Sequence, residues 1–208
     1  MSVIRAIGKF ISFGVFAILL GQLKGCFYYL EMTHLSDEEL QWIDCVEKYP
    51  EPRFVSADSD TAYLFYDKVK VWNDTTRFHF EISSNFQDTY SAAGYYEYHI
   101  RNISDTIRGK FQIEKPVETE KLEIFARLND LWTGKKRYRD IPLRTTTFKL
   151  KGTLYDNCIV CDSTNTSYGG RTEFSDKNKI TSFVINREYG LIYYQYSDGR
   201  EFFRIMND

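Results

Sequence analysis

From residue 53 onward the chain is governed by a period of two. Phe78, Phe80 and Ile82 alternate with His79 and Glu81, and Tyr96, Tyr98 and Ile100 alternate with Glu97, His99 and Arg101. Ile107, Phe111 and Ile113 alternate with Arg108, Lys110 and Gln112. Leu122, Ile124, Ala126 and Leu128 repeat the pattern against Lys121, Glu123 and Arg127, and Phe148 and Leu150 sit between Thr147, Lys149 and Lys151. Side chains of an extended strand point alternately to opposite sides, so this pattern predicts strands buried on one face and wet on the other. Strands of a parallel sheet, covered on both faces, would read as continuous apolar runs. The expectation is a mainly β fold, a single antiparallel, strongly bent sheet or partial barrel. The chain's 16 Tyr, 16 Phe and 3 Trp suit that reading, because aromatic rings favour pleated, half-buried surfaces. Phe78, Phe80, Tyr98, Ile107, Phe111, Ile124, Phe148, Ile192, Tyr194 and Phe203 are the expected core.

The C-terminus suggests a register. Asp198-Gly199 is a favoured two-residue hairpin turn between residues 191–197 and 200–205. Such a turn opposes Ser197 to Arg200, Tyr194 to Phe203 and Ile192 to Ile205, and it sends Tyr193, Gln195 and Arg204 to the other face. A strand over residues 180–186 would join this hairpin through a turn at Tyr189-Gly190.

One helix is expected ahead of the strands. Ser36 can cap it and Glu39, three residues on, can bond back, forming a capping box. Leu35 and Leu40 are placed for a hydrophobic staple, and Asp37, Glu38 and Glu39 complement the positive end of the helix dipole. The helix is expected over residues 37–44, ending before Pro50 and Pro52, where Trp42 and Ile43 would plug one end of the sheet.

The N-terminus has the layout of a secretory signal. Arg5 and Lys9 precede an apolar run over residues 10–20, which is too short to span a bilayer. The run closes on Leu23-Lys24-Gly25-Cys26, which resembles a bacterial lipobox, although Lys24 stands where a small or aliphatic residue is usual. The resemblance implies cleavage before Cys26 and lipidation of its sulfur. Two alternatives remain: a soluble secretory protein cut nearby, and an uncleaved anchor over residues 10–30 in which Lys24 snorkels. The organisation read here is a signal peptide at 1–25, a linker at 26–34 and one β-rich domain at 35–208.

Leu35-Ser-Asp-Glu-Glu-Leu-Gln-Trp-Ile at the start, with Asn186-Arg-Glu-Tyr-Gly-Leu-Ile-Tyr-Tyr and Ser197-Asp-Gly-Arg-Glu-Phe-Phe at the end, resembles uncharacterised lipoproteins of gut-type Gram-negative bacteria. That resemblance covers both ends of the mature chain. It implies a compartment, the cell envelope, and brings no catalytic residues. Phe27, Tyr28, Tyr29 and Leu30 follow Cys26, where surface-exported lipoproteins of such bacteria often carry acids, which favours the periplasmic face.

Charge narrows the partners. Of 27 basic residues, Arg5, Lys9 and Lys24 lie in the leader, so the mature chain carries 24 basic and 29 acidic residues, net −5. Phosphate-backbone binding needs a basic face, so no nucleic-acid partner is expected.

The remaining candidates for chemistry each have a plain structural reading. Cys158 and Cys161 read as strand residues about 10 Å apart on opposite faces, too far for a disulfide, which needs Cα atoms roughly 4.4–6.8 Å apart. Cys45 could pair with either. His79, Glu81, Glu97 and His99 could gather around a divalent metal if their strands paired with positions summing to 178. The expected outcome is a solvated sheet face without metal. Lys135, Lys136, Arg137, Arg139 and Arg144 read as a solvated loop, as does the polar stretch 163–178. His34 reads as a lone linker residue. Asp60-Thr-Ala62 and Asp105-Thr-Ile107 resemble an O-glycosylation tripeptide, and Asn73, Asn102 and Asn165 begin N-x-Ser/Thr triplets. No catalytic constellation, metal site or cofactor is expected. The leading expectation is an envelope lipoprotein that binds a protein, glycan or lipid. A carrier sheltering an apolar ligand in the sheet's concavity is the alternative, and an enzyme the third.

Overall fold

The computed structural model describes residues 27–29, 31–73, 78–80, 89–102, 105–117, 119–134, 145–168 and 179–206. In chain order the elements are β1 (Phe27–Tyr29), β2 (Glu31–Met32), α1 (Asp37–Lys48), β3 (Arg53–Ser56), β4 (Thr61–Trp72), β5 (Phe78–Phe80), β6 (Thr89–Tyr90), β7 (Ala92–Arg101) and β8 (Thr106–Lys115). They continue with β9 (Glu123–Leu128), β10 (Leu131–Gly134), β11 (Thr146–Leu150), β12 (Thr153–Cys161), β13 (Ser167–Tyr168), β14 (Ile180–Asn186), β15 (Gly190–Tyr196) and β16 (Glu201–Arg204). The fold is mainly β.

Twelve strands form one sheet in the order β11-β12-β14-β15-β16-β3-β4-β7-β8-β9-β10-β13. It curls into an antiparallel half-barrel. Its ends approach each other. After β12 the chain crosses to β10, where β13 pairs Tyr168 with Leu131. Tyr168 also donates from its hydroxyl to the Ile180 carbonyl of β14, at 3.1 Å. Within the polar stretch 163–178, the described part therefore holds a strand that ties the β10 edge of the sheet to β14, two strands in from the other end.

The inner face follows the period of two. Leu64, Tyr96, Tyr98, Ile100, Ile107, Phe111, Ile113, Tyr194, Tyr196 and Phe202 are each at most 2% exposed. α1 lies across this concavity with Trp42, Ile43 and Cys45 buried, and the Trp42 ring stacks on Phe111 at 5.6 Å. Both halves of the capping box are present, with Ser36 Oγ accepting from Glu39 N at 3.2 Å and Glu39 Oε2 accepting from Ser36 N at 2.7 Å. The helix runs one turn beyond the expected 37–44, to Lys48. Cys45 faces the core, and no proline intervenes before Pro50, so nothing stops the helix earlier.

Gly109 of β8 shows how tightly the interior is filled. It pairs with Tyr98, and a Cβ there would fall 2.1 Å from the Tyr98 ring. The ring thus occupies the space a side chain at 109 would need. A smaller apolar cluster lies outside this core, formed by Leu150, Cys158, Val184 and Ile192 with Phe148, Tyr193 and Phe203 against them.

The C-terminal register differs from expectation. The C-terminal hairpin pairs Tyr194 with Phe202 and Tyr193 with Phe203, so Tyr194 does not oppose Phe203. Ser197, Asp198 and Gly199 make a three-residue loop. Tyr196 N donates to the Arg200 carbonyl at 2.9 Å, and Gly199 takes φ +90°, which suits glycine. The extra loop residue moves β16 by one position, and a one-residue slip turns every side chain over. Phe202 goes inside, its ring 4.9 Å from that of Tyr194, while Phe203 lies half-buried outside. A bulge at Ile192 of β15, opposite Val184 and Ile185, also sets Ile192 out of the regular alternation.

The segment read as a linker is partly strand, in two small two-stranded sheets separate from the main one. β1 pairs with β5 and β2 with β6. Thr33 is buried; its hydroxyl donates to the Lys115 carbonyl and accepts from Ala92 N.

Candidate functional site

The outer face of β7 carries two of the four residues singled out as potential ligands. Register aligns Lys68, Glu97, Lys110 and Arg127 in one cross-strand row, and Phe65, His99 and Arg108 in the next. His99 Nδ1 meets Asp67 Oδ1 at 2.8 Å, and its ring stacks on Phe65 at 5.2 Å. A cleft of about 480 Å³ opens here, lined by Asp67, His99, Arg101, Arg108 and Arg127 among others.

The four-ligand arrangement does not form. β7 pairs with β4 and β8, whereas His79 lies in β5, which pairs with β1 and sets His79 opposite Tyr28. Glu81 lies outside the described residues. The register summing to 178 is therefore corrected. The long β4, twelve residues from Thr61 to Trp72, takes the place beside β7 that the hairpin reading gave to the strand at 78–82. Among the described residues no three His, Cys, Asp or Glu side chains are placed to hold a metal ion.

The cysteines at 158 and 161 face opposite sides of β12, one in each apolar cluster, as strand geometry dictates. Cys45, Cys158 and Cys161 are all buried free thiols. Burial pushes the Cys45 thiol up to about 11 despite the neighbouring Tyr96 and Tyr66 hydroxyls and Arg204, which pull it down. A thiol held neutral is a poor nucleophile.

The N-x-Ser/Thr asparagines hold structure. Asn73 bonds both backbone groups of Leu35, Asn102 accepts from Asp105 N, and Asn165 donates to the Val160 carbonyl. Cys26 and the basic cluster at residues 135–144 lie outside the described residues.

The one-residue slip has a second consequence. Arg204, expected outside, comes inside with Phe202 and is only 6% exposed. It sits where β16 ends beside the carboxyl end of α1. Its guanidinium lies 4.6 Å from the centre of the Tyr49 ring and donates to the Tyr189 carbonyl. Burial lowers its pKa, opposed by Tyr66, Cys45, Tyr49 and Tyr96 nearby. Arg204 lines a cleft of about 290 Å³ together with Lys48, Glu51, Arg53, Tyr189 and Met206. Next to it a second cleft, about 570 Å³, is bounded by Lys48, Asp156, Asn186, Arg187 and Tyr189. Arg187 is tied to Glu38 of the helix at 2.6 Å.

No protein-family model, curated protein or solved structure matches this chain. Its chemistry has to be read from the clefts themselves. The outer cleft sets an imidazole beside a carboxylate in water. The mouth cleft sets a buried cation beside aromatic and apolar walls. Sequence reading missed the second because it took Asp-Gly as a two-residue turn; Ser197 ahead of it is what makes the longer loop with glycine last.

Proposed function

We propose that this chain is a cell-envelope lipoprotein, held on the membrane through a lipid on Cys26 and acting as a binding module whose ligand contacts lie in its outer clefts. The observation that favours binding over carriage is the filled concavity. Trp42, Ile43, Tyr96, Tyr98, Phe111, Tyr194 and Phe202 occupy the space that a carrier would keep open for a lipid or other apolar ligand. The three clefts described above open outward and are lined by charged and polar side chains as well as aromatic rings.

Support for anchoring comes from the leader: two cations, a short apolar run, then Cys26 where a lipidated residue would stand. Among the described residues no helix is long and apolar enough to cross a membrane. The periplasmic face is the favoured side, and the partner is a protein, glycan or lipid rather than nucleic acid. No cofactor is required by this reading.

Intact-mass analysis of protein recovered from bacterial membranes tests it. The mature chain is expected to begin at Cys26 with lipid mass added, and Cys26→Ala is expected to release it from the membrane. Recovery of a longer chain with unmodified Cys26 would contradict the proposal.

A further inference from the structure

An arginine has five N–H donors in a planar fork and stays charged, so burial is tolerated when carboxylates or other acceptors meet it. At Arg204 the described residues supply one carbonyl, from Tyr189, and one ring face, from Tyr49, with the neutral Tyr66 and Tyr96 hydroxyls and the Cys45 thiol nearby. The carboxyl end of α1 adds only a partial negative charge. No described carboxylate forms an ion pair with this guanidinium. Nearby, the cleft adds two further cations, Lys48 and Arg53, against the single acid Glu51. The remaining walls are Pro50, Pro52, Ile205 and Met206, with the rings of Tyr49 and Tyr189.

A buried cation that no described carboxylate pairs, inside a recess whose described walls are apolar and carry excess positive charge, is a half-site. From this geometry we infer that the cleft binds a small organic carboxylate, its carboxylate on the Arg204 fork and its apolar body against the prolines, Ile205 and Met206. A planar carboxylate matches the guanidinium fork with two parallel hydrogen bonds. A volume of about 290 Å³ is that of roughly ten waters, enough for a compact ring or short chain but not for a phospholipid. The inference rests on the binding-module reading above and deepens it by naming a ligand class.

Arg204 reaches this position through the fold. Gly199 closes the three-residue loop, the loop sets the β16 register, and the register turns residue 204 inward. Opposite Arg204 on β3 stands Phe54, fully buried, which fixes the strand from the other side.

The test is isothermal titration of the full, lipidated chain in neutral detergent with three probes: 3-phenylpropanoate, its uncharged amide, and inorganic phosphate. The carboxylate is expected to bind at least roughly tenfold more tightly than the amide, the size of one good charge-assisted pair. Phosphate, lacking an apolar body, is expected to bind weakly. Arg204→Met is expected to erase the preference for carboxylate over amide. Rim variants Lys48→Gln and Arg53→Gln, at the cleft mouth, are expected to weaken carboxylate binding by a few-fold while melting like the parent chain. They keep the inference testable if Arg204→Met fails to fold. Absence of saturable carboxylate binding, equal affinity for the amide, equal affinity for phosphate, or a preference untouched by these substitutions would overturn it. Because the same preparation is weighed for lipid on Cys26, failure here is distinguishable from failure of the anchoring proposal.

Discussion

The two faces of β7 are built from alternate residues of one strand and obey different rules. Tyr96, Tyr98 and Ile100 point inward and are at most 1% exposed, packed on Phe111, Gly109 and Ile107. Glu97 and His99 point outward and are half-buried, and Arg101 is exposed. On the inner face each side chain is fixed by the volume its neighbours leave, so substitution there is felt throughout the core. On the outer face partners are chosen among solvated charges, each pairing contributes little, and neighbours can exchange at small cost.

Alkaline pH should separate the faces most sharply. Burial holds the Cys45 thiol up to about 11 and the Tyr196 hydroxyl up to about 12, and pushes Tyr66, Tyr98 and Tyr194 higher still. In the unfolded chain these groups ionise near 9 and 10, while the folded interior keeps them neutral. Their stabilising effect is therefore complete below about pH 9 and is lost as pH rises toward 12. Each group contributes about 1.4 kcal/mol per pH unit within its own window. Urea midpoints measured from pH 8 to 11 should fall steadily once past pH 9; a flat profile would mean the interior groups are solvated.

Next in size is Phe111→Ala, which removes the ring shared by Trp42 and Tyr96. The expected loss is about 3–5 kcal/mol, or roughly 10 °C in Tm. A loss under about 1 kcal/mol would show that helix and sheet are not packed through this residue. The smallest effect belongs to the outer face. Asp67→Asn removes the charge from the 2.8 Å contact with His99, but the Asp67 side chain is 47% exposed, so the expected cost is under about 1 kcal/mol and shrinks with salt. A cost comparable with that of Phe111→Ala would erase the distinction between the faces.

The same distinction explains what the sequence made legible. The inner face is written in the period of two, so the antiparallel bent sheet, the strand over 180–186 and the burial of Tyr98, Ile107, Phe111 and Tyr194 could be read directly. Ile124, Phe148 and Phe203 are only half-buried, Ile192 is buried in the outer cluster, and the side chains of Phe78 and Phe80 lie outside the described residues. The helix start was legible as well, because Ser36 and Glu39 form a local motif, whereas its end depended on Cys45 finding a tertiary neighbour in the core. The outer face carries no such constraint. Glu97 and His99 look the same beside β5 as beside β4, so alternation alone could not say that Asp67 and Phe65, rather than His79, would meet them. Arg204 was misplaced for a third reason. Whether Ser197 belongs to the strand or to the loop changes the register by one, and both choices leave a phenylalanine inside, Phe202 or Phe203. The mouth cleft follows from that choice.

The half-barrel is filled by its own side chains, and the chain carries reporters of that in Cys45 and Cys161, both wholly buried against the concave core. Iodoacetamide labelling of the lipidated protein at pH 8, read by peptide mass, is the most direct measurement. With a filled core, Cys45 and Cys161 are expected to stay unmodified in the folded protein and to react fully once denaturant is added. Labelling of both thiols in the folded state at the rate of the denatured chain would contradict it, and would show an open hollow where a filled core is described.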